Sequence, residues 1–311
     1  MKKTKIGIIG IGHLGMFHLK NLSQMADRVE IVGICDLKSE EKLNIAKSFH
    51  VPFIEDYRAF AQKVDAIDIC TPTNLHHEIA KFFLENNIHT FIEKPIAQNV
   101  QQADELVALA EKHNLKLQIG HVERFNAAFE SIKHFTNKPL FIECHRLNHF
   151  PNRSLDIGVV MDLMIHDIDI VLGIVKTPLK EISAVGVNVL TPLEDIASVR
   201  LTFESGCVCN LTASRVSEEV MRKIRIFQKD TYISLNYVEQ EAFIYKKHEQ
   251  KILKHSLPIE KEQPLRRELT HFIDCIQNNQ QPIVSGHEGR EALRVALKIS
   301  EQIWNRQKNM S

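Results

Sequence analysis

Short apolar runs alternate with amphipathic stretches through residues 1–120 of this 311-residue chain. The runs are short and largely apolar, as expected for strands buried on both faces of a parallel sheet. The predicted strands cover residues 6–9, 30–35, 52–54, 66–70, 88–92 and 115–119. The stretches between them place apolar residues at helical spacing and predict helices over 16–22, 40–49, 75–86 and 100–112. Repeated strand–helix units of this kind favour a doubly wound parallel sheet.

After residue 120 the pattern changes to consecutive strands. The predicted elements are a strand over 140–150, a helix over 158–175, a mainly β region over 180–255, and helices over 265–278 and 288–306. In the β region Val199, Leu201 and Phe203 alternate with polar residues, which is typical of a strand with one solvated face. The charged segment 246–264 is either a hairpin or a loop.

The two patterns predict an α/β protein with two domains. An N-terminal domain with a doubly wound parallel sheet covers residues 1–121. A C-terminal α+β domain with a large, mainly antiparallel sheet covers residues 122–311, and its last helix could pack back on the first domain.

The first predicted strand ends in a G-x-G-x-x-G motif formed by Gly10, Gly12 and Gly15. Gly10 allows a tight turn, Gly12 lets the backbone approach a pyrophosphate, and Gly15 lets the helix pack on the strand. The helix that follows presents backbone N–H groups to the phosphates. Strand, glycine turn and helix therefore occur in the order that dinucleotide binding requires.

Asp36 follows the second predicted strand, 21 residues (36 − 15) after Gly15. The acid that binds a ribose hydroxyl in such domains is expected about 20 residues after the motif. A plain loop aspartate is the alternative, but motif, spacing and flanking elements agree. Because a carboxylate repels a 2′-phosphate, Asp36 favours NAD over NADP.

Composition narrows the class of protein. Lys plus Arg and Asp plus Glu both total 39, so no broad basic surface for nucleic acid is indicated. No run reaches the ~18 apolar residues of a membrane span, and the apolar start is interrupted by glycines, so we interpret it as mature protein. The six cysteines form no C-x-x-C motif, which favours reduced thiols in a cytoplasmic protein.

Lys94 follows the predicted strand 88–92 within the triplet Glu93-Lys94-Pro95. The proline restricts the backbone of the lysine. The position lies at the carboxyl edge of the sheet, where ligands bind in doubly wound folds. The glycine motif, Asp36 and residues 71–74 lie at the same edge. By itself Lys94 would more often be a solvated surface lysine.

Asp162, His166 and Asp169 stand at i, i+4 and i+7 in an apolar stretch, so they are predicted to share one helix face. A polar stripe in so apolar a helix requires an explanation. A buried ion pair, a metal site, and a general base formed by a histidine beside a carboxylate all remain open. The order is not H-E-x-x-H, which argues against a metal, and we predict none.

The chain resembles the Gfo/Idh/MocA family, named after glucose–fructose oxidoreductase and inositol dehydrogenase. The matching segments are 10–15, Thr71-Pro72 with His76 and Ala80, 89–95 ending in E-K-P, and D-x-x-x-H-x-x-D over 162–169. The resemblance implies an N-terminal Rossmann domain that binds NAD(P). It also implies a C-terminal domain that binds a sugar or polyol, with an open sheet that often mediates oligomerisation.

Carried over residue by residue, the resemblance implies that Lys94, Asp162 and His166 form the catalytic group. The predicted cofactor contacts are Gly10, Gly12, His13, Leu14, Gly15, Asp36, Thr71, Pro72, Asn74, His76, Glu93 and Lys94. His166 is the expected base, because its intrinsic pKa of ~6.5 suits work near neutrality. Asp162 would orient His166 or bind the substrate hydroxyl, and Lys94 would donate to the same oxygen. Lys94 as the base remains an alternative.

Segments 119–126 and 158–169 resemble the UDP-N-acetylglucosamine 3-dehydrogenases and their relatives, although Ala127 stands where that subgroup often has proline. The predicted substrate contacts are Lys94, Arg124, Asn126, Arg153, Asp162 and His166. Arg124 could fork onto a carboxylate or phosphate, while a salt-bridge role is its structural alternative.

The chain is thus predicted to be a cytoplasmic, NAD-dependent dehydrogenase acting on a secondary hydroxyl of a sugar, such as a UDP-N-acetylhexosamine. The alternatives are a polyol, inositol or free-sugar dehydrogenase, an NAD-dependent glycosidase that uses oxidation and elimination, and a non-catalytic NAD-bound regulatory protein. We expect a homo-oligomer, dimer or tetramer, formed through the C-terminal sheet, and neither nucleic acid nor membrane as a partner.

Overall fold

The computed structural model describes residues 2–150 and 157–309. Its strands are β1 Thr4–Ile9, β2 Val29–Cys35, β3 Phe53–Ile54, β4 Ala66–Ile69, β5 His89–Glu93, β6 Leu117–Gly120, β7 Phe141–Leu147, β8 Leu179–Val187, β9 Ile196–Phe203, β10 Val208–Ser214, β11 Met221–Gln228, β12 Thr231–Asn236, β13 Glu241–His248 and β14 Lys251–Ser256. Its α-helices are α1 His13–Ser23, α2 Glu40–Ser48, α3 Thr73–Glu85, α4 Val100–Lys112, α5 Ala127–Ile132, α6 Ile165–Val175, α7 Pro264–Gln277 and α8 Gly286–Lys308. None of these helices combines the length and the apolar character needed to cross a membrane.

The chain forms two compact units. The first comprises Met1–Val122 and Gln263–Arg290, and the second comprises Glu123–Glu262 and Glu291–Ser311. Helix α7 therefore belongs to the first unit, whereas the sequence analysis placed it in the domain 122–311. The physical reason is its apolar face, on which Leu269, Phe272 and Ile273 are fully buried in one core with residues of β1, α1 and β5.

The first unit contains a parallel six-stranded sheet in the order β3-β2-β1-β4-β5-β6. The chain order reverses beside β1, so the crevice for a ligand lies outside the carboxyl ends of β1 and β4. The predicted doubly wound sheet is confirmed. Several predicted site residues lie where strands end at this edge: the glycine motif after β1, Asp36 after β2, residues 71–74 after β4, and Lys94-Pro95 after Glu93, the last residue of β5.

The second unit contains an eight-stranded sheet in the order β14-β13-β12-β11-β7-β10-β9-β8, antiparallel except for the β10–β7 pair. One face packs on helices and includes Ile142 and Cys144 in the core. The other face alternates with it and carries Phe141, Glu143 and His145, which are half-buried. Strands β13 and β14 pair as a hairpin, which settles the two interpretations of segment 246–264.

The predicted helix over 158–175 starts with a π-helical turn, Val160–Met164, before α6 begins. The backbone N–H of Val159 donates to the Glu194 carbonyl at 2.9 Å, which anchors the start of the turn. A side chain at Gly158 would place its Cβ 1.9 Å from a Glu194 carboxylate oxygen, so the anchor requires glycine there. π-Turns inside helices are frequent at functional sites, and this one contains Asp162.

Candidate active site

The glycine loop is shaped by close backbone approaches. Gly10 has a φ of 87°, and a Cβ on it would lie 2.7 Å from the carbonyl of Cys70. A Cβ on Gly15 would lie 1.9 Å from the oxygen of Gly10. By contrast, among the described residues other than Gly12 and its neighbours along the chain, no atom lies within 4 Å of the Cβ position at Gly12, and no described side chain caps the N-terminus of α1. Open space beside uncapped N–H groups fits a pyrophosphate.

Asp36 lies next to this loop. Its Oδ2 accepts the backbone N–H of Ile11 at 2.6 Å, and its Oδ1 accepts that of Leu37 at 2.6 Å. Each carboxylate oxygen has a second lone pair, so both can still accept a ribose hydroxyl. Lys38, two residues on, is paired with Glu55. Its positive charge is therefore compensated within the unit and offers a 2′-phosphate less attraction than an unpaired lysine would.

Several predicted cofactor contacts are exposed at the same sheet edge. His13 and Leu14 begin α1, and Pro72 and Asn74 lie at the start of α3. Large apolar side chains are also exposed here, most of all Leu37, at 88%. Exposed apolar residues beside a phosphate-binding loop fit the adenosine part of a dinucleotide.

His76 is one of the predicted cofactor contacts. It is buried, with Nδ1 2.9 Å from the carbonyl oxygen of Pro95 and Nε2 2.8 Å from that of Thr71. Burial lowers the pKa of His76, although both backbone hydrogen bonds oppose that effect. These contacts favour a brace between two loops of the cofactor edge over a direct contact to the cofactor.

Lys94 follows β5 and is half-buried, whereas Glu93 before it is buried. The Glu93 Oε2 accepts the backbone N–H of Lys94 at 3.1 Å, and Oε1 lies 3.0 Å from Nε2 of His18. Burial alone would raise the pKa of Glu93, but the hydrogen bond and charge of His18, together with the charge of Lys94, lower it. One oxygen thus contacts His18 and the other accepts from the Lys94 backbone. These contacts favour a structural role for Glu93 over the predicted cofactor contact.

His18 and Asp68, which belong to no predicted site motif, complete this group. Nδ1 of His18 lies 2.9 Å from Oδ2 of Asp68, and the Cys70 thiol donates to the other oxygen at 3.5 Å. His18, Asp68 and Cys70 place three potential ligand atoms within 4.8 Å of one another, but hydrogen bonds already join them. A signal was present, because His18 and Asp68 are polar residues at buried positions of a helix and a strand.

In the second unit, the acidic residues near His166 divide into two kinds. Asp162 and His166 are half-buried. Asp167 and Asp169 are buried and pair with arginines, Asp167 with Arg146 at 2.8 and 2.9 Å. The ion-pair interpretation thus describes Asp169, while Asp162 and His166 stay partly accessible.

Arg124 and Asn126, predicted to bind substrate, are held by their own unit. Nε of Arg124 lies 2.9 Å from Oδ2 of Asp169, and a Cβ on Gly173 would lie 1.8 Å from one of its terminal nitrogens. Asn126 is buried, caps α5 through Ala128 N–H, and donates to the carbonyl of Tyr237. These contacts favour structural roles for both. Arg153 lies outside the described residues.

A second buried network lies at the start of the π-turn. Arg215 is fully buried and donates to Asp195 Oδ1 at 2.8 Å, to Thr191 Oγ1 at 2.8 Å and to the Ile157 carbonyl at 2.7 Å. Oδ2 of Asp195 accepts the N–H groups of residues 189–191 at 2.6–2.9 Å. Burial would raise the pKa of Asp195, but these hydrogen bonds outweigh it and lower the pKa. Because this network depends on residues distant in sequence, pattern analysis could not find it.

Two family models match the chain. One, described as an oxidoreductase family with an NAD-binding Rossmann fold, covers residues 4–121. The other, described as a GFO/IDH/MocA C-terminal domain, covers residues 116–232.

Individual relatives match along nearly the whole chain. UDP-N-acetylglucosamine 3-dehydrogenase of Acidithiobacillus ferrooxidans is 32% identical over 306 residues, covering 96% of this chain and 97% of the relative. Its crystal structure superposes with a TM-score of 0.92 over 97% of this chain and 98% of that chain. Myo-inositol 2-dehydrogenase of Thermotoga maritima is 27% identical, covering 96% of each chain.

A more distant solved structure shares the fold. Scyllo-inositol dehydrogenase from Lactobacillus casei, crystallised with NAD(H) and scyllo-inositol, has a TM-score of 0.83 at 21% identity and covers 98% of each chain. The glycine loop, the E-K-P turn, the D-x-x-x-H segment and these matches agree. The chain therefore belongs to the Gfo/Idh/MocA family of NAD-binding oxidoreductases.

Proposed function

We propose that the protein is an NAD-dependent dehydrogenase that oxidises a secondary hydroxyl of a UDP-N-acetylhexosamine. The observation that carries this proposal is the 32% identity to a UDP-N-acetylglucosamine 3-dehydrogenase over 96% of the chain. The chain also has Lys94, Asp162 and His166 at the motif positions of the family.

The first unit supports NAD as the cofactor. The loop from Gly10 to Gly15 and the N-terminus of α1 would hold the pyrophosphate. Asp36 would accept the adenosine ribose hydroxyls, and the Lys38–Glu55 pair supports the preference for NAD over NADP. When bound, NAD accepts the hydride that leaves the carbinol carbon.

The second unit supports the proton chemistry. Oxidation of a hydroxyl releases its proton, and we assign its removal to His166, which stays partly accessible. Asp162 orients the imidazole or binds the substrate hydroxyl. Lys94 donates to the same oxygen and stabilises the negative charge that develops on it.

An assay of NADH formation by the purified protein tests the proposal. UDP-N-acetylglucosamine and UDP-N-acetylgalactosamine are compared with UDP alone, N-acetylglucosamine, glucose, inositols and aryl glycosides. We expect turnover with a UDP-N-acetylhexosamine, and a kcat that is ~10²–10⁴-fold lower in the Lys94→Ala variant. Release of aglycone from a glycoside, or absence of turnover with every compound, would reject the proposal.

An inositol dehydrogenase is the second candidate. The 27% identity to myo-inositol 2-dehydrogenase of Thermotoga maritima supports it. The same assay separates the two, because an inositol dehydrogenase would turn over myo- or scyllo-inositol and ignore nucleotide sugars.

We also propose that two copies of the chain associate through the outer face of the second sheet, the face opposite its helices. A row of stacked rings crosses this face, with 4.7 Å between the ring centroids of Phe227 and Tyr232 and 4.8 Å between those of Tyr232 and Tyr245. Beside it lies a groove of 370 Å³ that Val185, Arg200 and other residues line. Large aromatic side chains on a sheet face suit a protein interface.

A further inference from the structure

Three residues from different elements of the first unit form a buried charged group, which we call the His18 triad: His18 of α1, Asp68 of β4 and Glu93 of β5. The two ring nitrogens of His18 lie 2.9 Å from an Asp68 oxygen and 3.0 Å from a Glu93 oxygen. His18 and Asp68 are 0% exposed. Ionisable groups are rarely buried without a structural or functional reason, and Glu93 of this triad directly precedes Lys94 in the chain.

The geometry determines the charge of the histidine. An ionised carboxylate only accepts hydrogen bonds, and a neutral imidazole carries one N–H. When Asp68 and Glu93 are both ionised, both short contacts are hydrogen bonds only if both ring nitrogens carry hydrogen, so the geometry favours an imidazolium at His18. Burial has the largest single effect and opposes this charge, but the charges of Asp68 and Cys70 and the hydrogen bonds with them together outweigh it and raise the pKa of His18 well above its ordinary value.

Glu93 transmits the position of His18 to Lys94. One oxygen faces His18, and the other accepts the backbone N–H of Lys94 at 3.1 Å. A Cβ on Gly120 would lie 2.9 Å from the Glu93 carboxyl group, so the carboxylate is enclosed on that side as well. The carboxylate is thus held in one orientation, and it holds the backbone of the lysine.

His18 also belongs to the helix that the glycine motif opens. It lies three residues after Gly15, and α1 begins at His13. The triad therefore connects the element that would hold the pyrophosphate with the turn that presents Lys94.

We propose that His18 is a positioning residue: its imidazolium fixes Glu93, and through Glu93 the backbone of Lys94, against helix α1. This inference rests on the proposed function, in which Lys94 acts on the substrate. Misplacing a group by about 1 Å can cost ~10²-fold in rate, so loss of the imidazolium is expected to lower kcat. A purely structural triad would alter the stability of the protein and leave kcat unchanged.

The test compares His18→Gln with Ile273→Val in steady-state assays with NAD and UDP-N-acetylglucosamine. Ile273 lies in the core of the same unit, and Ile273→Val removes one buried methyl group from that core. We expect His18→Gln to lower kcat by about 10- to 10²-fold with an unchanged KM for the sugar nucleotide, and Ile273→Val to keep the wild-type kcat.

A double-variant cycle shows whether His18 acts through Glu93. If it does, Glu93→Gln lowers kcat to a similar extent and the double variant is no slower than the slower single variant. The proposal is overturned if the fold losses in kcat of the two single variants multiply in the double variant. It is also overturned if His18→Gln keeps the wild-type kcat. Should His18→Gln not fold, Asp68→Asn replaces it, because it removes the charge that keeps the imidazole protonated, and the same kcat loss is expected.

The Lys94→Ala variant separates this inference from the proposed function. If Lys94→Ala retains near-normal turnover, the catalytic assignment fails and the positioning role fails with it. If Lys94→Ala shows the expected loss of kcat while His18→Gln is fully active, the catalytic assignment stands and only the positioning role is rejected.

Discussion

Nε of Arg124 lies 2.9 Å from Oδ2 of Asp169, a carboxylate with 2% of its side chain exposed. From the sequence alone, Arg124 could also have bound a carboxylate or phosphate of the substrate. Lysine cannot reproduce the planar guanidinium in such a site. We therefore expect Arg124→Lys to lower the free energy of unfolding by ~1–3 kcal/mol while the KM for UDP-N-acetylglucosamine changes little. Denaturant unfolding and steady-state kinetics measure these two effects. A strong rise in KM at unchanged stability would show instead that Arg124 binds the substrate.

The cofactor preference depends on Asp36. We expect wild-type protein to bind NAD more tightly than NADP, because the carboxylate accepts ribose hydroxyls and repels a 2′-phosphate. Asp36→Asn should narrow that difference by weakening NAD binding and strengthening NADP binding. Lys38→Ala is the control, since Glu55 already compensates the charge of Lys38. Competitive titrations measure both, and equal affinity of the wild-type protein for the two cofactors would refute the role of Asp36.

Lys94 and His166 carry the proposed chemistry. Replacing either with alanine should lower kcat by ~10²–10⁴-fold, the range typical of acid–base groups, while the protein stays folded and binds NAD. His113→Ala replaces another half-buried histidine, so it is the matched control and should keep its activity. Near-normal turnover of the Lys94 variant would remove the centre of the mechanism. Loss of folding in the His166 variant would instead identify that residue as part of the support of the helix.

The Asp195–Arg215 pair predicts a specific dependence of stability on pH. The folded pKa of Asp195 is lowered, so its stabilising effect is complete above the unfolded value of ~3.9 and is lost as pH falls through the folded value. Asp195→Asn should lower the free energy of unfolding by about 3–5 kcal/mol near neutral pH, because Arg215 loses its buried, charged partner. The difference from wild type should shrink as the pH falls below ~3.9. Unfolding curves at several pH values measure it, and a difference independent of pH would contradict the assignment.

The outer face of the second sheet predicts an effect on assembly. A charge at Val185, which is 42% exposed and lines the groove, should shift the protein towards monomer in Val185→Arg. Val238→Arg is the control, because Val238 is exposed in the turn after β12. Sedimentation velocity reports the oligomeric state. A wild-type protein that is already monomeric would refute the proposed interface.

Local sequence patterns predicted the strands and helices well, because buried positions repeat every few residues along each element and are therefore visible in a short segment. The apolar run around Ile8 and the motif ending at Gly15 were enough to predict a Rossmann domain, and the structure confirms it. The alternation around Leu201 predicted the second sheet in the same way. What remained hidden depends on partners distant in sequence: Arg215 with Asp195, and His18 with Glu93.

Two differences illustrate this limit. The π-turn at Val160–Met164 depends on hydrogen bonds that the backbone N–H groups of Val159 and Val160 donate to Glu194, which no helical periodicity reveals. The amphipathic pattern of α7 showed that this helix has a buried face. It did not show which core that face packs against, because the apolar pattern of one helix does not specify its packing partner.

The return of the chain to the first unit at α7 has a consequence for biosynthesis. The ribosome releases β1 to β6 long before residues 264–277, so the cofactor-binding half cannot complete its core until the second half has been made. Until then the apolar side that receives Leu269, Phe272 and Ile273 stays uncovered and open to chaperones. A fragment that stops at residue 121 would keep this defect permanently. A minimal cofactor-binding protein would have to contain residues 263–290 together with residues 1–122.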